Sequence, residues 1–244
     1  MRNRRLDEIL VERGLAGDND HAARLIRAGK VLVAEVVADK PGLRYPEDAV
    51  IRVRGQPGYV SRGGIKLAGA LDHFALDPRG WICADIGAST GGFTDCLLQR
   101  GARIVYAVDV GYGILHWQLR NDERVIVRER LNARALTRQH IEHPLELAVL
   151  DTSFISLTKV IPPLLPLFGP IIRIVALVKP QFELSRDRVD RGGIVRDEQD
   201  QQDAVTAIRR FGADCQLSCA GIVASSITGS KGNQEYLLYF LRQQ

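Results

Sequence analysis

The chain has 244 residues, 45% of them hydrophobic, enough for one large α/β domain or for such a domain with a small appendage. A formal net charge of +4 permits contact with a polyanion without marking the chain as a strongly basic binder. No run of about eighteen apolar residues occurs, which excludes a helical membrane span, and the four cysteines lack CxxC spacing, so reduced thiols in a cytoplasmic protein are expected.

The leading residues, M-R-N-R-R-L-D-E, lack the apolar core of a signal peptide. Leu6, Ile9, Leu10 and Val11 predict a short amphipathic helix ending near Gly14. A second helix is expected over 21–28, with Ala22, Leu25 and Ile26 inward and Arg24 and Arg27 outward. Short strands are expected at 31–33, 36–37 and 49–53, with a turn at Pro41-Gly42. The breaker-rich stretch 54–58 reads as a linker, which divides the chain into a small module, 1–58, and a large domain, 59–244.

The module carries R-L-D-E-I-L-V-E-R-G-L from Arg5 and L-I-R-A-G-K-V-L-V from Leu25, and in this it resembles the S4-type RNA-binding domain. The resemblance implies RNA contact through Arg5, Arg13, Arg24, Arg27 and Lys30, cations that can meet phosphates. Two positions depart from the pattern. Asn19-Asp20 replaces the usual Ser-Arg, and Ala34-Glu35 replaces the usual Asn-Gly hairpin.

From Tyr59 onward strands alternate with helices, which predicts a parallel sheet covered on both faces. Strands are expected at 81–86, 104–108, 125–127, 147–150, 172–178, 216–225 and 236–241, and helices at 67–74, 93–100, 157–168 and 197–211. No helix separates the last two strands, so they should pair antiparallel. The expected fold is a Rossmann-like, seven-stranded methyltransferase sheet preceded by a small α+β module.

The most informative stretch is D-I-G-A-S-T-G-G-F, comprising Asp85, Ile86, Gly87, Ala88, Ser89, Thr90, Gly91, Gly92 and Phe93. Gly87 should let the backbone turn tightly, and Gly91 and Gly92 should leave room for a ligand. The spacing is D-x-G-x-x-x-G-G, not the G-x-G-x-x-G of a dinucleotide site. Asp85 stands where a pyrophosphate would meet its charge, so a ligand with a cationic end, S-adenosylmethionine, is expected instead. Asp109 closes the next strand, placed to accept the hydroxyls of an adenosine ribose.

Four ionisable residues stand in glycine-rich context or at strand ends: Lys66 in V-S-R-G-G-I-K-L, Asp151 in V-L-D-T-S-F, Lys179 in A-L-V-K-P-Q-F-E and Glu235 in G-N-Q-E-Y-L. In a doubly wound sheet Asp151 and Lys179, at strand ends, should share the crevice beyond the carboxyl ends of the strands with Asp85 and Asp109, and the antiparallel last strand should bring Glu235 to the same edge. Together these motifs resemble the TlyA family, two-domain ribosomal RNA 2′-O-ribose methyltransferases with an FtsJ-like catalytic domain, some known as hemolysins. The resemblance implies a catalytic tetrad of Lys66, Asp151, Lys179 and Glu235, and methyl-donor binding by the loop of residues 85–93, Asp109, Asn132, Ala133 and Arg134. It implies ribosomal RNA, within a ribosomal subunit, as partner. Lys179 is expected to act as base, with Lys66 depressing its pKa and Asp151 and Glu235 orienting the lysines. Base methylation is a weaker reading, because Asp151-Thr-Ser-Phe154 lacks the prolines of a [D/N]-P-P-[Y/F] motif. Two further readings stand beside it, a membrane-active hemolysin and an RNA-binding protein with an inactive methyltransferase fold. The scattered histidines point to no metal site.

Overall fold

A computed structural model describes residues 3–13, 15–16, 18–47, 49–53, 58–229 and 231–243. The chain divides into two compact units, Met1–Val60 and Ser61–Gln244. Of the expected linker, only Gly58 falls among the described residues, and Gly14, the expected end of the first helix, lies outside them.

In the first unit β1 (Asn3–Arg5) runs straight into α1 (Leu6–Glu12), against which α2 (Asn19–Arg27) packs. Leu6, Leu10, Ala22 and Ile26 form the shared core. The Asp18 carboxylate accepts the His21 N–H and caps α2, with Asp20 in its first turn and Arg24 and Arg27 in its last, as the helix dipole favours. β2 (Val31–Val33), β3 (Val36–Ala38) and β5 (Ile51–Val53) make a three-stranded antiparallel sheet, while β1 pairs with β4 (Arg44–Pro46). Strands β1 and β4 escape sequence reading because Asn3-Arg4-Arg5 and Arg44-Tyr45-Pro46 show no apolar alternation. Ala34 and Glu35 fill the two-residue turn between β2 and β3 with φ of 48° and 65°, the left-handed region that Asn-Gly enters more easily.

The second unit begins with α3 (Gly63–His73), a turn earlier than the apolar pattern suggests. Its sheet uses β6 (Ile82–Ile86), β7 (Ile104–Val108), β8 (Val125–Arg128), β9 (Leu147–Leu150), β10 (Ile171–Val178), β11 (Ser218–Ala224) and β12 (Tyr236–Gln243). Their order is β11-β12-β10-β9-β6-β7-β8, with β6 to β10 parallel and β12 antiparallel to both its neighbours. β10 is an unbroken apolar run but for Arg173, as a strand covered on both faces requires. The connecting helices are α4 (Gly92–Gln99), α5 (Trp117–Arg120), α6 (Ile161–Leu164), α7 (Pro180–Glu183) and α8 (Glu198–Asp214). The continuous helix expected over 157–168 is instead a 3₁₀ turn (Leu157–Lys159), α6 and a second 3₁₀ turn (Leu165–Leu167). Pro162, Pro163 and Pro166 supply no N–H donors to carry it through.

Register fixes the functional edge. Ile86 pairs with Val108 and Leu150, Ala176 with Leu150, and Val178 with Tyr236. Gly87, Asp109, Asp151 and Lys179 therefore leave the sheet on one carboxyl edge. Because β12 runs the other way, Glu235 enters at that same edge.

Candidate active site

Gly87 turns the chain out of β6 with φ +85°, and a Cβ there would lie 2.7 Å from the Asp151 carbonyl oxygen. Only glycine lets the β6 and β9 loops approach so closely. Asp85 sits inside β6 and is wholly buried. Its Oδ2 accepts from the Thr94 N–H (2.8 Å) and the Thr94 hydroxyl (2.7 Å), while Oδ1 has no hydrogen-bond partner among the described residues. Burial pushes this carboxyl up to about 7; the Thr94 bonds oppose that, and the charges of Asp151 and Asp109 add to it. Asp85 thus ties the start of α4 to β6 from behind the turn.

The glycines beyond the turn serve the protein. A Cβ on Gly91 would collide with Leu119 and Leu115, and one on Gly92 with Ser61 and the Gly64 backbone. The space that a side chain would need at Gly91 and Gly92 is taken by these neighbours. Ala88 and Phe93 are likewise buried, and Ser89 and Thr90 are exposed.

A cavity of about 980 Å³ opens at the carboxyl edge, lined by Gly87, Ser89, Asp109, Asn132, Ala133 and Arg134 together with Asp151 and the segment after it. Asp109 accepts the Ser89 N–H on Oδ2 (2.8 Å) and the Gly111 N–H on Oδ1 (2.7 Å), which fixes the carboxylate and leaves each oxygen a further lone pair. The Asn132 side chain accepts the Arg134 N–H (3.0 Å) and starts the 3₁₀ turn Ala133–Ala135.

Each lysine of the quartet is paired with one acid. Lys179 Nζ lies 2.6 Å from Asp151 Oδ1 and donates to Ser153 Oγ at 2.9 Å. Lys66, from the first turn of α3, lies 2.5 Å from Glu235 Oε2, and both side chains are buried. The other Glu235 oxygen packs against Gly229, where any side chain would displace it. Asp151 lines the cavity; Lys66, Lys179 and Glu235 are not part of its lining.

Sequence reading passes over several residues of this wall. Phe154 is 91% exposed with φ 63°, its ring 5.0 Å from that of Phe182, and both line the cavity with Lys159, Gln181 and Arg186. Glu183 accepts from Ser156 Oγ (2.5 Å) and the Leu157 N–H (3.0 Å), and burial pushes its carboxyl up against those bonds. Phe154 and Glu183 stand inside motifs already singled out, yet no periodicity reports what they touch. In the first unit, Arg5 is held by Asp7 (2.6 Å) and Arg13 donates to the Ala49 carbonyl (2.6 Å) and to that of Glu47. Arg24, Arg27 and Lys30 are exposed.

A mostly parallel seven-stranded sheet with a reversed penultimate strand, and a cavity at its carboxyl edge, defines a methyltransferase-type α/β fold. Residues 59–242 match the FtsJ-like methyltransferase family and residues 4–51 the S4 domain. The 16S/23S rRNA (cytidine-2′-O)-methyltransferase TlyA of Mycobacterium tuberculosis is 46% identical over 244 residues, spanning 99% of this chain and 91% of that relative. Hemolysin A of Brachyspira hyodysenteriae is 39% identical, spanning 97% of this chain and 99% of the relative. A solved structure from Streptococcus thermophilus, labelled a hemolysin, superposes with a TM-score of 0.76 at 38% identity, covering 100% of this chain and 90% of the other. The chain belongs to the TlyA family of FtsJ-like methyltransferases that carry an S4 domain.

Proposed function

We propose that the protein transfers a methyl group from S-adenosylmethionine to a ribose 2′-hydroxyl of ribosomal RNA in the cytoplasm. The observation that carries this reading is the pair of lysine–carboxylate contacts, Lys179–Asp151 and Lys66–Glu235, at the sheet edge where the cavity opens. The relative from M. tuberculosis, named for cytidine 2′-O methylation of 16S and 23S rRNA, supports it, as does the S4 domain.

The cavity suits the methyl donor. Its volume is that of a cofactor site, Gly87 leaves the turn bare of side chain, and Asp109 presents acceptors that a ribose diol would satisfy. Asn132 and Ala133 would border the adenine, while Asp85, Ala88, Gly91, Gly92 and Phe93 shape the turn from behind. S-adenosylmethionine, when bound, supplies an electrophilic methyl on a cationic sulfur. The chain's own residues handle the acceptor. A ribose hydroxyl must lose its proton as it attacks, and Lys179, held by Asp151 and Ser153 and entering the step as the neutral amine, takes that proton and becomes the ammonium. Lys66, oriented by Glu235, supplies positive charge for the developing alkoxide or the adjoining phosphate.

Purified protein with labelled methyl donor and 30S or 50S subunits tests this directly. Label should appear in rRNA, on a nucleotide whose 3′ linkage resists alkaline cleavage. Lys179→Ala should lower the rate by about 10²–10⁴-fold. Label on a base, or a near wild-type rate in that variant, overturns the assignment. No described helix is long and apolar enough to cross a membrane.

A further inference from the structure

The motifs D-T-S-F-I-S-L, residues 151–157, and K-P-Q-F-E, residues 179–183, touch at both of their ends. At the first end Lys179 meets Asp151 (2.6 Å) and Ser153 (2.9 Å). At the second, Glu183 accepts from Ser156 Oγ (2.5 Å) and the Leu157 N–H (3.0 Å). The proposed reaction uses only the first of these contacts. α7 is a single helical turn, opened by Pro180 with Lys179 as the residue just before it, and it ends at Glu183. That turn sets Lys179 and Glu183 at a fixed separation, so whatever holds one holds the other. Between the clamped ends the chain arches over Phe154, whose left-handed φ of 63° costs an L-residue about 1–3 kcal/mol and persists only where the surroundings enforce it.

Glu183 also organises the chain just beyond the arch. Leu157 opens a 3₁₀ turn, and the N–H that Glu183 accepts is one that such a turn cannot satisfy itself. The Ser156 hydroxyl makes a further contact to Thr158 Oγ1 (2.8 Å), so the carboxylate fixes the base of the segment carrying Lys159 to the cavity wall. Glu183 is partly buried, and its desolvated carboxyl is offset by these two donors.

We propose that Glu183 is a positioning residue: it clamps the arch of residues 151–157 onto the turn that carries Lys179, and so sets the Asp151–Lys179 geometry. The role rests on the 2′-O-methyl transfer proposed above, but its structural part does not. Glu183 touches no reacting atom. Its contribution is alignment, and misplacement of a reacting group by about 1 Å costs about 100-fold.

The test uses the full chain with Glu183→Ala and Glu183→Gln. In Glu183→Ala, kcat on ribosomal subunits should fall about 100-fold while the affinity for S-adenosylmethionine and the melting temperature stay near wild type. Glutamine keeps an acceptor for Leu157 and gains a donor for Ser156, so Glu183→Gln should recover to within about threefold. Amide hydrogen exchange in 151–157 should quicken in Glu183→Ala with β6 and β7 unchanged, a readout that holds even if the wild-type protein methylates no rRNA. The proposal is overturned by a kcat within about threefold of wild type in Glu183→Ala, by joint loss of donor affinity and folding, by a Glu183→Gln as slow as alanine, or by unchanged exchange in 151–157.

Discussion

Asp85 is an acid that water cannot reach, and its titration is a property of folding. In the unfolded chain it ionises near the ordinary aspartate value of about 4, whereas in the fold burial holds it up to about 7. Between those values the folded chain binds more protons than the unfolded one, so this residue makes stability fall as pH rises from about 4 to about 7 and level off above. Asn at position 85 keeps an oxygen for the Thr94 donors and cannot ionise. The advantage of Asp85→Asn over wild type should therefore grow across that window, at up to about 1.4 kcal/mol per pH unit, read from chemical denaturation at each pH. A pH-independent difference would show that the carboxyl is not held protonated by burial. The sequence reads Asp85 as a ligand contact at a strand end; the structure places it in the last residues of β6, with one oxygen bonded to Thr94.

Ala34 and Glu35 show an element built against the local preference of its residues. Both take left-handed φ in the β2–β3 turn, a conformation that costs most residues about 1–2 kcal/mol. Glu35 makes an exposed ion pair with Arg52 (2.7 Å), and such pairs contribute little. Ala34→Asn with Glu35→Gly should stabilise the first unit by about 1–2 kcal/mol, seen as slower amide exchange at β2 and β5 in the full chain. Unchanged exchange would mean the turn is not strained. The turn's position was legible from the alternation on either side, and its strain was not. The same contrast holds across the fold. Strands β6, β7, β9 and β10 declared themselves as apolar runs ending in an acid, a lysine or a glycine. The sheet-edge rule then gathered Asp109, Asp151, Lys179 and Glu235 without any coordinates. What stayed hidden depended on contacts between non-repetitive segments: the β1–β4 ladder, the proline-broken α6 region, the packing over Gly91, and the Glu183 clamp.

At the scale of the whole molecule, charge and chemistry are divided between the units. Arg5 is exposed but paired with Asp7, and Arg13 donates to backbone carbonyls, whereas Arg24, Arg27 and Lys30 are exposed cations of the α2 end of the unit among those expected to meet RNA. Replacing these three by glutamine should weaken rRNA binding and flatten its salt dependence, by about 0.7–0.9 in log–log slope for each phosphate no longer neutralised. Methyl-donor affinity should stay as it was. An unaltered slope would place RNA capture elsewhere.

The Lys66–Glu235 pair joins residues 169 positions apart, one at the front of the catalytic unit and one at the mouth of β12. That span has a consequence in time. A growing chain can lay down β6, β7 and the Asp109 pocket early, but half of the lysine–acid machinery waits for the strand inserted between β10 and β11. A product interrupted before β12 would lack both Glu235 and the strand that joins β10 to β11. The Lys66–Glu235 contact can therefore form only after β12 has been made, long after the residues of β6 and β7.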